Sequence, residues 1–386
     1  MANCAIVGIN WGDEGKGRMV DYLTSHYDVV VRYQGGGNAG HTVVNDKGTF
    51  ALHLLPSGIF REGVVNILGN GVALDCENLL GEMNAIRASG VPITPENLKI
   101  SDRASLLLPW HRELDGLEEA RLADKKYGST KQGIAPFYSD KYQKKTVMAG
   151  ELIHPKHLKE HLADLLEWKN LTLQKVYGAK GWTMEELMNW VDTYCEAVKP
   201  YITNTTAFLR DAQKAGKSIL FEAQLGALRD LDYGIYPYTT SSNAVAAYAP
   251  VGSGLPTAKL DEVVGVVKAY SSCVGEGPFV WAPSTWWPPA TAWKSRARPI
   301  SPSPSWISSA TWIRFPSAPT MSWTASRPMS SRSLSASRMP SPSSSMWTAG
   351  SAISPRSAAG TSCRRTPGSM WSMWSRPSAA TSATCP

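Results

Sequence analysis

The chain has 386 residues, with 39 Lys and Arg against 32 Asp and Glu and a formal net charge of +7. That length suffices for one large α/β domain or two ordinary ones with a sizeable core. The charge is unevenly spread: all 32 acidic residues lie at or before Glu276, whereas residues 281–386 hold Lys294 and ten arginines, so the first 280 residues carry −4 and the tail +11. The basic average therefore assigns no nucleic-acid partner to the folded part. Cys4, Cys76, Cys195, Cys273, Cys363 and Cys385 are scattered without a C-x-x-C pair, as expected for a reducing compartment. No apolar run reaches membrane-spanning length and no basic-then-apolar leader opens the chain, so a soluble cytoplasmic protein is expected.

Cys4 to Ile9 is a continuous apolar run ending beside glycine, the pattern of a strand covered on both faces of a parallel sheet. Met19, Val20 and Leu23 mark a short helix from about Lys16, and Val29 to Tyr33 reads as the next strand. A glycine-rich turn thus lies between a strand end and a helix N-terminus, where free backbone N–H groups bind anions.

Val64–Leu68 reads as a strand leading into Gly69-Asn70-Gly71, followed by a helix around Cys76–Arg87 and a polar, glycine-containing stretch over Lys125–Lys145. Leu158, Leu162, Leu165 and Leu166 share a helical face, and Thr183-x-x-Glu186 reads as a capping box opening a helix to about Val198. Ser218–Phe221 is a strand that delivers Glu222 and Gln224 at its end, and Val263–Tyr270 is another. The fold class expected is α/β, with a mostly parallel central sheet, a phosphate-loop-like turn and helical excursions, over residues 1–280.

From Trp281 the alphabet changes. Residues 281–386 contain 28 Ser, 15 Pro and 10 Trp, but no Asp, Glu, Asn, Gln, His, Tyr or Val. Disorder would lack the tryptophan, and a core would contain valine and leucine. Valine apart, the missing types, with lysine, are those whose codons carry A in the middle, and of these only Lys294 occurs. Such an alphabet is expected when a GC-rich gene is read out of frame, so the C-terminal quarter is expected to be non-native or disordered.

Two constellations carry the chemistry. In Trp11-Gly12-Asp13-Glu14-Gly15-Lys16-Gly17-Arg18, glycines allow close backbone approach to phosphate, Lys16 supplies a point charge, and Asp13 can hold Mg²⁺ or accept a proton. The pattern departs from G-x-x-x-x-G-K-[ST] because Gly17 occupies the Ser/Thr position. A plain strand-to-helix turn is the competing reading. In Gly35-Gly36-Gly37-Asn38-Ala39-Gly40-His41-Thr42, polar groups and a histidine follow a second buried strand, and a satisfied structural histidine is the competing reading. Two such turns on strands expected to be neighbours favour phosphoryl chemistry on a nucleotide.

These residues closely resemble the adenylosuccinate synthetase family. The resemblance runs on through His53–Gly58, Gly69–Gly71, Ser129-Thr130, Gly133-Ile134, Asp140-Lys141, Tyr236–Asn243, Lys268–Ser271 and Gly277–Phe279. It covers about residues 1–280. It implies GTP-dependent joining of IMP and L-aspartate through a 6-phosphoryl-IMP intermediate, with Asp13 as base, His41 as acid and Lys16 on phosphate. It further implies GTP contacts from Gly12, Asp13, Glu14, Gly15, Lys16, Gly17, Gly40, His41 and Thr42. The IMP contacts implied are Asp13, Asn38, Ala39, Gly40, His41, Thr130, Lys144, Gln224 and Thr240. Mg²⁺ would be held by Asp13 and Gly40, and the partner would be a second copy in a homodimer.

Two positions depart from the family pattern. Lys144 stands where arginine usually reaches the neighbouring subunit's IMP phosphate, and Phe221-Glu222-Ala223-Gln224-Leu225-Gly226 replaces Phe-Glu-Gly-Ala-Gln-Gly. The family's aspartate-binding arginine loop and guanine-reading Lys-Leu-Asp segment are not found in residues 281–386, so little synthetase activity is expected. The alternative is an inactive nucleotide-binding remnant whose basic tail binds nucleic acid non-specifically. A regulatory nucleotide switch lacks its Asn-Lys-x-Asp motif. His154, His157 and His161 beside Glu151 and Glu160 are read as a solvated helix start, and Trp110, His111 and Trp168 as packing.

Overall fold

In the computed structural model the described residues are 3–45, 47–268 and 310–316, all within the unit spanning residues 1–327. The elements follow in the order β1 (Asn3–Gly8), α1 (Lys16–Thr24), β2 (Val29–Arg32), the hairpin β3 (His41–Asn45) and β4 (Gly48–Leu52), β5 (Val65–Leu68), β6 (Ala73–Leu74) and α2 (Cys76–Ala88). Next come β7 (Leu98–Ser101), β8 (Ser105–Leu106), α3 (Pro109–Leu122), α4 (Ile134–Gln143), α5 (Pro155–Leu171), α6 (Met184–Tyr194), β9 (Ile202–Thr203) and α7 (Thr205–Lys214). β10 (Ile219–Gly226), α8 (Ala249–Ser253), β11 (Glu262–Lys268) and β12 (Ala310–Pro316) complete the described part.

Eight strands form one sheet in the order β12-β11-β1-β10-β2-β5-β7-β9, parallel throughout except for antiparallel β12 at its edge. Strand β2 is fully buried, and β1 and β10 are buried but for Asn3 and Leu225; such near-continuous burial is expected of an α/β sheet covered on both faces. The centre of the sheet, β1-β10-β2, ends in the two glycine-rich turns and the Glu222–Gly226 segment. These lie at the carboxyl ends of parallel strands, where open α/β sheets bind ligands.

Two local readings change, and a third runs past the described residues. The Lys125–Lys145 stretch contains α4, opened by Gly133 at φ 75° and packed through Ile134, Phe137 and Tyr138 at helical spacing. The helix expected to reach Val198 stops at Tyr194, and the chain tightens into a 3₁₀ turn over Glu196–Tyr201 that contains Pro200. The strand expected through Tyr270 is described to Lys268. The domain boundary at 280/281 and the tail expected to be non-native or disordered lie outside the described residues, apart from edge strand β12. Among the described residues no helix is long and apolar enough to cross a membrane.

Candidate active site

The first turn is built by backbone geometry that favours glycine. Gly12 and Gly15 have φ of 100° and 85°, and Asp13, between them, is left-handed at 60°. Glu14 closes the turn from inside: its Oε1 accepts from the N–H of Asn10 (3.1 Å) and Gly12 (2.8 Å). The Lys16 ammonium donates to Glu14 Oε2 at 2.5 Å, and both side chains are buried. Asp13 faces outward, 61% exposed, with Lys268 Nζ 2.6 Å from its Oδ2. Gly17 has a steric reason that the motif alone does not reveal. A Cβ there would lie 2.8 Å from His41 Cβ, so the hydroxyl residue of the ordinary phosphate loop is excluded by the second turn's histidine.

His41 is 6% exposed and its Nδ1 lies 2.6 Å from Glu222 Oε1. Glu222 also accepts from Ser57 Oγ (2.7 Å) and Ser57 N–H (2.9 Å). Burial opposes ionisation of Glu222, but His41, the charge of Arg32 and the Ser57 N–H outweigh it and hold the carboxyl below its usual range. Burial pulls His41 below its ordinary value, assisted by the charges of Arg32 and Lys16 and opposed by Glu222. An ionised carboxylate only accepts, so Nδ1 carries the proton. That leaves Nε2, buried and without a hydrogen-bond partner, as the free end of the dyad.

The second turn is braced by Gln224. Its Nε2 donates to the carbonyls of Gly36 (2.6 Å) and Ala39 (2.8 Å), and its Oε1 accepts from Gly36 N–H (2.9 Å). Between the pairs Ile6–Glu222 and Gly8–Gly226, three residues of β10 face one of β1, a bulge that turns Gln224 inward. Gln224, expected to touch IMP, has its amide bonded to the turn and is not among the residues that line the cleft described below. Leu225, at the place where the family has glutamine, takes φ 61° and lines the cleft instead.

Asp13, Asn38, Ala39, Gly40, Thr130 and Thr240 line one cleft of about 700 Å³, reached from four separate segments of the chain. Within it Asn38 Oδ1 is buried without a partner. Thr240 is placed by its N–H bond to Arg229 O (2.7 Å) and by Asp230, which accepts from Ala244 N–H (2.6 Å) at the far end of the same loop. Lys16 and His41 lie beneath the turns rather than in the cleft wall, and Thr42 is exposed on β3. Lys144, at the exposed end of α4 with φ 61°, is not brought to the cleft. Trp110 and His111 are fully buried, but Trp168 is 44% exposed, lines the cleft and carries Lys145 Nζ 3.1 Å from its ring centroid, so its reading as packing is revised. His157 and His161 both approach Glu151, but among the described residues no group of three or more His, Cys, Asp or Glu side chains is arranged to hold a metal ion.

Sequence reasoning missed Glu222 as the partner of His41, Glu14 as the closure of the first turn, and Lys268 beside Asp13. Glu222 at a strand end was the one legible signal.

A family profile described as adenylosuccinate synthetase matches residues 5–284. "Adenylosuccinate synthetase 2" of Pseudoalteromonas translucida is 48% identical over 284 residues, covering 73% of this chain and 67% of that protein. Adenylosuccinate synthetase of Carboxydothermus hydrogenoformans is 46% identical over 279 residues, covering 72% and 65%. The chain thus spans about two thirds of the length of the curated relatives it matches. The solved structure of fully ligated adenylosuccinate synthetase from Plasmodium falciparum superposes with a TM-score of 0.66 at 32% identity, covering 72% of this chain and 64% of that one.

Proposed function

Because the chain belongs to the adenylosuccinate synthetase family, we propose that its cleft binds IMP and that its two glycine-rich turns bind GTP, for phosphoryl transfer to the purine and ligation of L-aspartate. The observation that carries this reading is the convergence of Asp13, Asn38, Ala39, Gly40, Thr130 and Thr240 on one cleft, above the buried His41–Glu222 dyad.

In this reading the Asp13 carboxylate takes the N1 proton of IMP, and the purine 6-oxygen, made nucleophilic, attacks the γ-phosphorus of GTP. GDP leaves. His41 presents Nε2 to the phosphoryl oxygens; their negative charge raises the proton affinity of the ring, Nε2 takes up a proton from solvent as the nucleotide binds, and Glu222 supports the imidazolium that results. The free amine of aspartate then attacks C6, the C6–O bond breaks, and the departing phosphate carries off the proton lost by the nitrogen. Asn38, Thr130 and Thr240 orient IMP, and Lys16 exchanges Glu14 for a phosphate oxygen. Gln224 contributes through the brace it places under Gly36 and Ala39. The Asp13 carboxylate and the Gly40 carbonyl are the hard oxygen donors that Mg²⁺ prefers, and few protein ligands suit an ion that keeps substrate oxygens. Mg²⁺ held there would neutralise phosphate charge.

The aspartate-binding and guanine-reading segments of the family have no counterpart in residues 281–386. The chain as written therefore binds IMP but forms little adenylosuccinate. Calorimetric titration with IMP, beside an assay of adenylosuccinate formation by material of verified mass, tests both halves. No IMP binding sinks the site, and ready product formation sinks the impairment. Sequencing the gene across codon 280 tests the out-of-frame origin of the tail.

A further inference from the structure

Asp115 and Glu119 stand four residues apart on α3, and so on one helix face, with side chains turned toward the loop that joins α3 to α4. Both are buried, at 5% and 8% exposure, and neither makes an ion pair among the described residues. Burying two carboxylates without cations is costly unless hydrogen bonds replace the lost water. Here the donors all come from the loop. Glu119 accepts from the N–H of Tyr127 and Gly128, each at 3.2 Å. Asp115 accepts from Ser129 Oγ at 2.6 Å and from Gly133 N–H at 2.8 Å. Ser129 Oγ accepts in turn from Lys131 N–H at 3.1 Å.

Thr130, exposed and in the cleft wall, is the residue these bonds bracket: 127, 128 and 129 are held before it, 131 and 133 after it. Gly133 closes the bracket sterically as well, since at φ 75° a Cβ there would sit 2.7 Å from the α3 backbone at His111 and Arg112. Among the described residues, the backbone N–H groups from Tyr127 to Gly133 make no further hydrogen bond that would hold Thr130 in place.

We infer that Asp115 and Glu119 are positioning residues that fix Thr130 for its contact with the nucleotide in the cleft. This rests on the IMP reading above. The carboxylates touch no ligand themselves; they act through the loop. An anionic acceptor for several loop N–H groups is stronger than a neutral one, so the amide isosteres, which also turn a donor toward those N–H groups, release the loop.

The test is calorimetric titration of the full-length chain with IMP, for Asp115→Asn, Glu119→Gln, Ser129→Ala, Thr130→Ala and the pairings of each with Thr130→Ala. Each single variant is expected to weaken IMP about tenfold. The paired variants are expected to bind no more weakly than Thr130→Ala alone, because a residue that works through Thr130 has nothing left to position. Ser129→Ala leaves α3 intact and keeps the test available if a carboxylate variant does not fold. Unchanged affinity in the single variants, or losses that add to that of Thr130→Ala, overturns the inference while leaving the IMP site standing. Failure of the unsubstituted chain to bind IMP overturns the functional reading, and the inference with it.

Discussion

His41 meets Glu222 end-on through Nδ1 at 2.6 Å, while its other ring nitrogen is buried with no partner. The carboxylate raises the proton affinity of the ring against the effect of burial. In Glu222→Gln that support is gone, so the His41 ring should titrate at lower pH than in the parent chain. Ring-proton chemical shifts followed against pH check this; an upward or absent shift refutes it.

The same burial makes stability depend on pH. His41 and His111 are both held below the ordinary histidine value, burial being the main cause in each. Below pH about 6.5 the unfolded chain takes up protons that the native rings refuse, so stability present at neutral pH is lost on acidification. Glu222, held low, adds a further loss at more acidic pH, where its carboxyl protonates in the native state. Urea unfolding at pH 7.5 and 5.5 should show the lower midpoint at 5.5, and His41→Gln should flatten the difference.

Gln224→Ala removes both donors from the Gly36 and Ala39 carbonyls and the acceptor from Gly36 N–H. Leaving these buried groups unpaired should cost about 1–3 kcal/mol. Denaturant unfolding measures it, and amide exchange at Gly36 should quicken. A loss no larger than that of an exposed control such as Gln143→Ala would contradict the bracing role.

Gly17→Ser restores the hydroxyl of the ordinary phosphate loop to a place already filled. With a Cβ 2.8 Å from that of His41, the substitution should destabilise by about 1–3 kcal/mol and shift the histidine, rather than improve phosphate binding. Chemical denaturation together with IMP and GTP titration decides between these outcomes.

The parallel sheet was legible because its buried strands are short apolar runs, and the two turns were legible because glycine clusters mark them. α4 was hidden: its apolar residues sit at helical spacing in a polar stretch, behind a glycine whose φ only the structure reveals. The Glu222–His41 dyad joins residues 181 positions apart, a distance that no local pattern encodes. Gln224 shows the limit most plainly. The one-place shift from the family pattern was visible, but whether it faced the ligand depended on a bulge that comes from pairing with β1.

The closed pair of Lys16 and Glu14 gives the first turn a threshold. An anion reaching this turn finds its lysine already neutralised and its carboxylate anchored to two backbone amides, and opening that buried pair costs more than a single weak contact returns. Free phosphate or sulfate, which offers little beyond its charge, leaves the turn shut. In the proposed reading a nucleotide can offset the opening through its base and sugar contacts, so the closed pair disfavours a bare anion relative to a nucleotide.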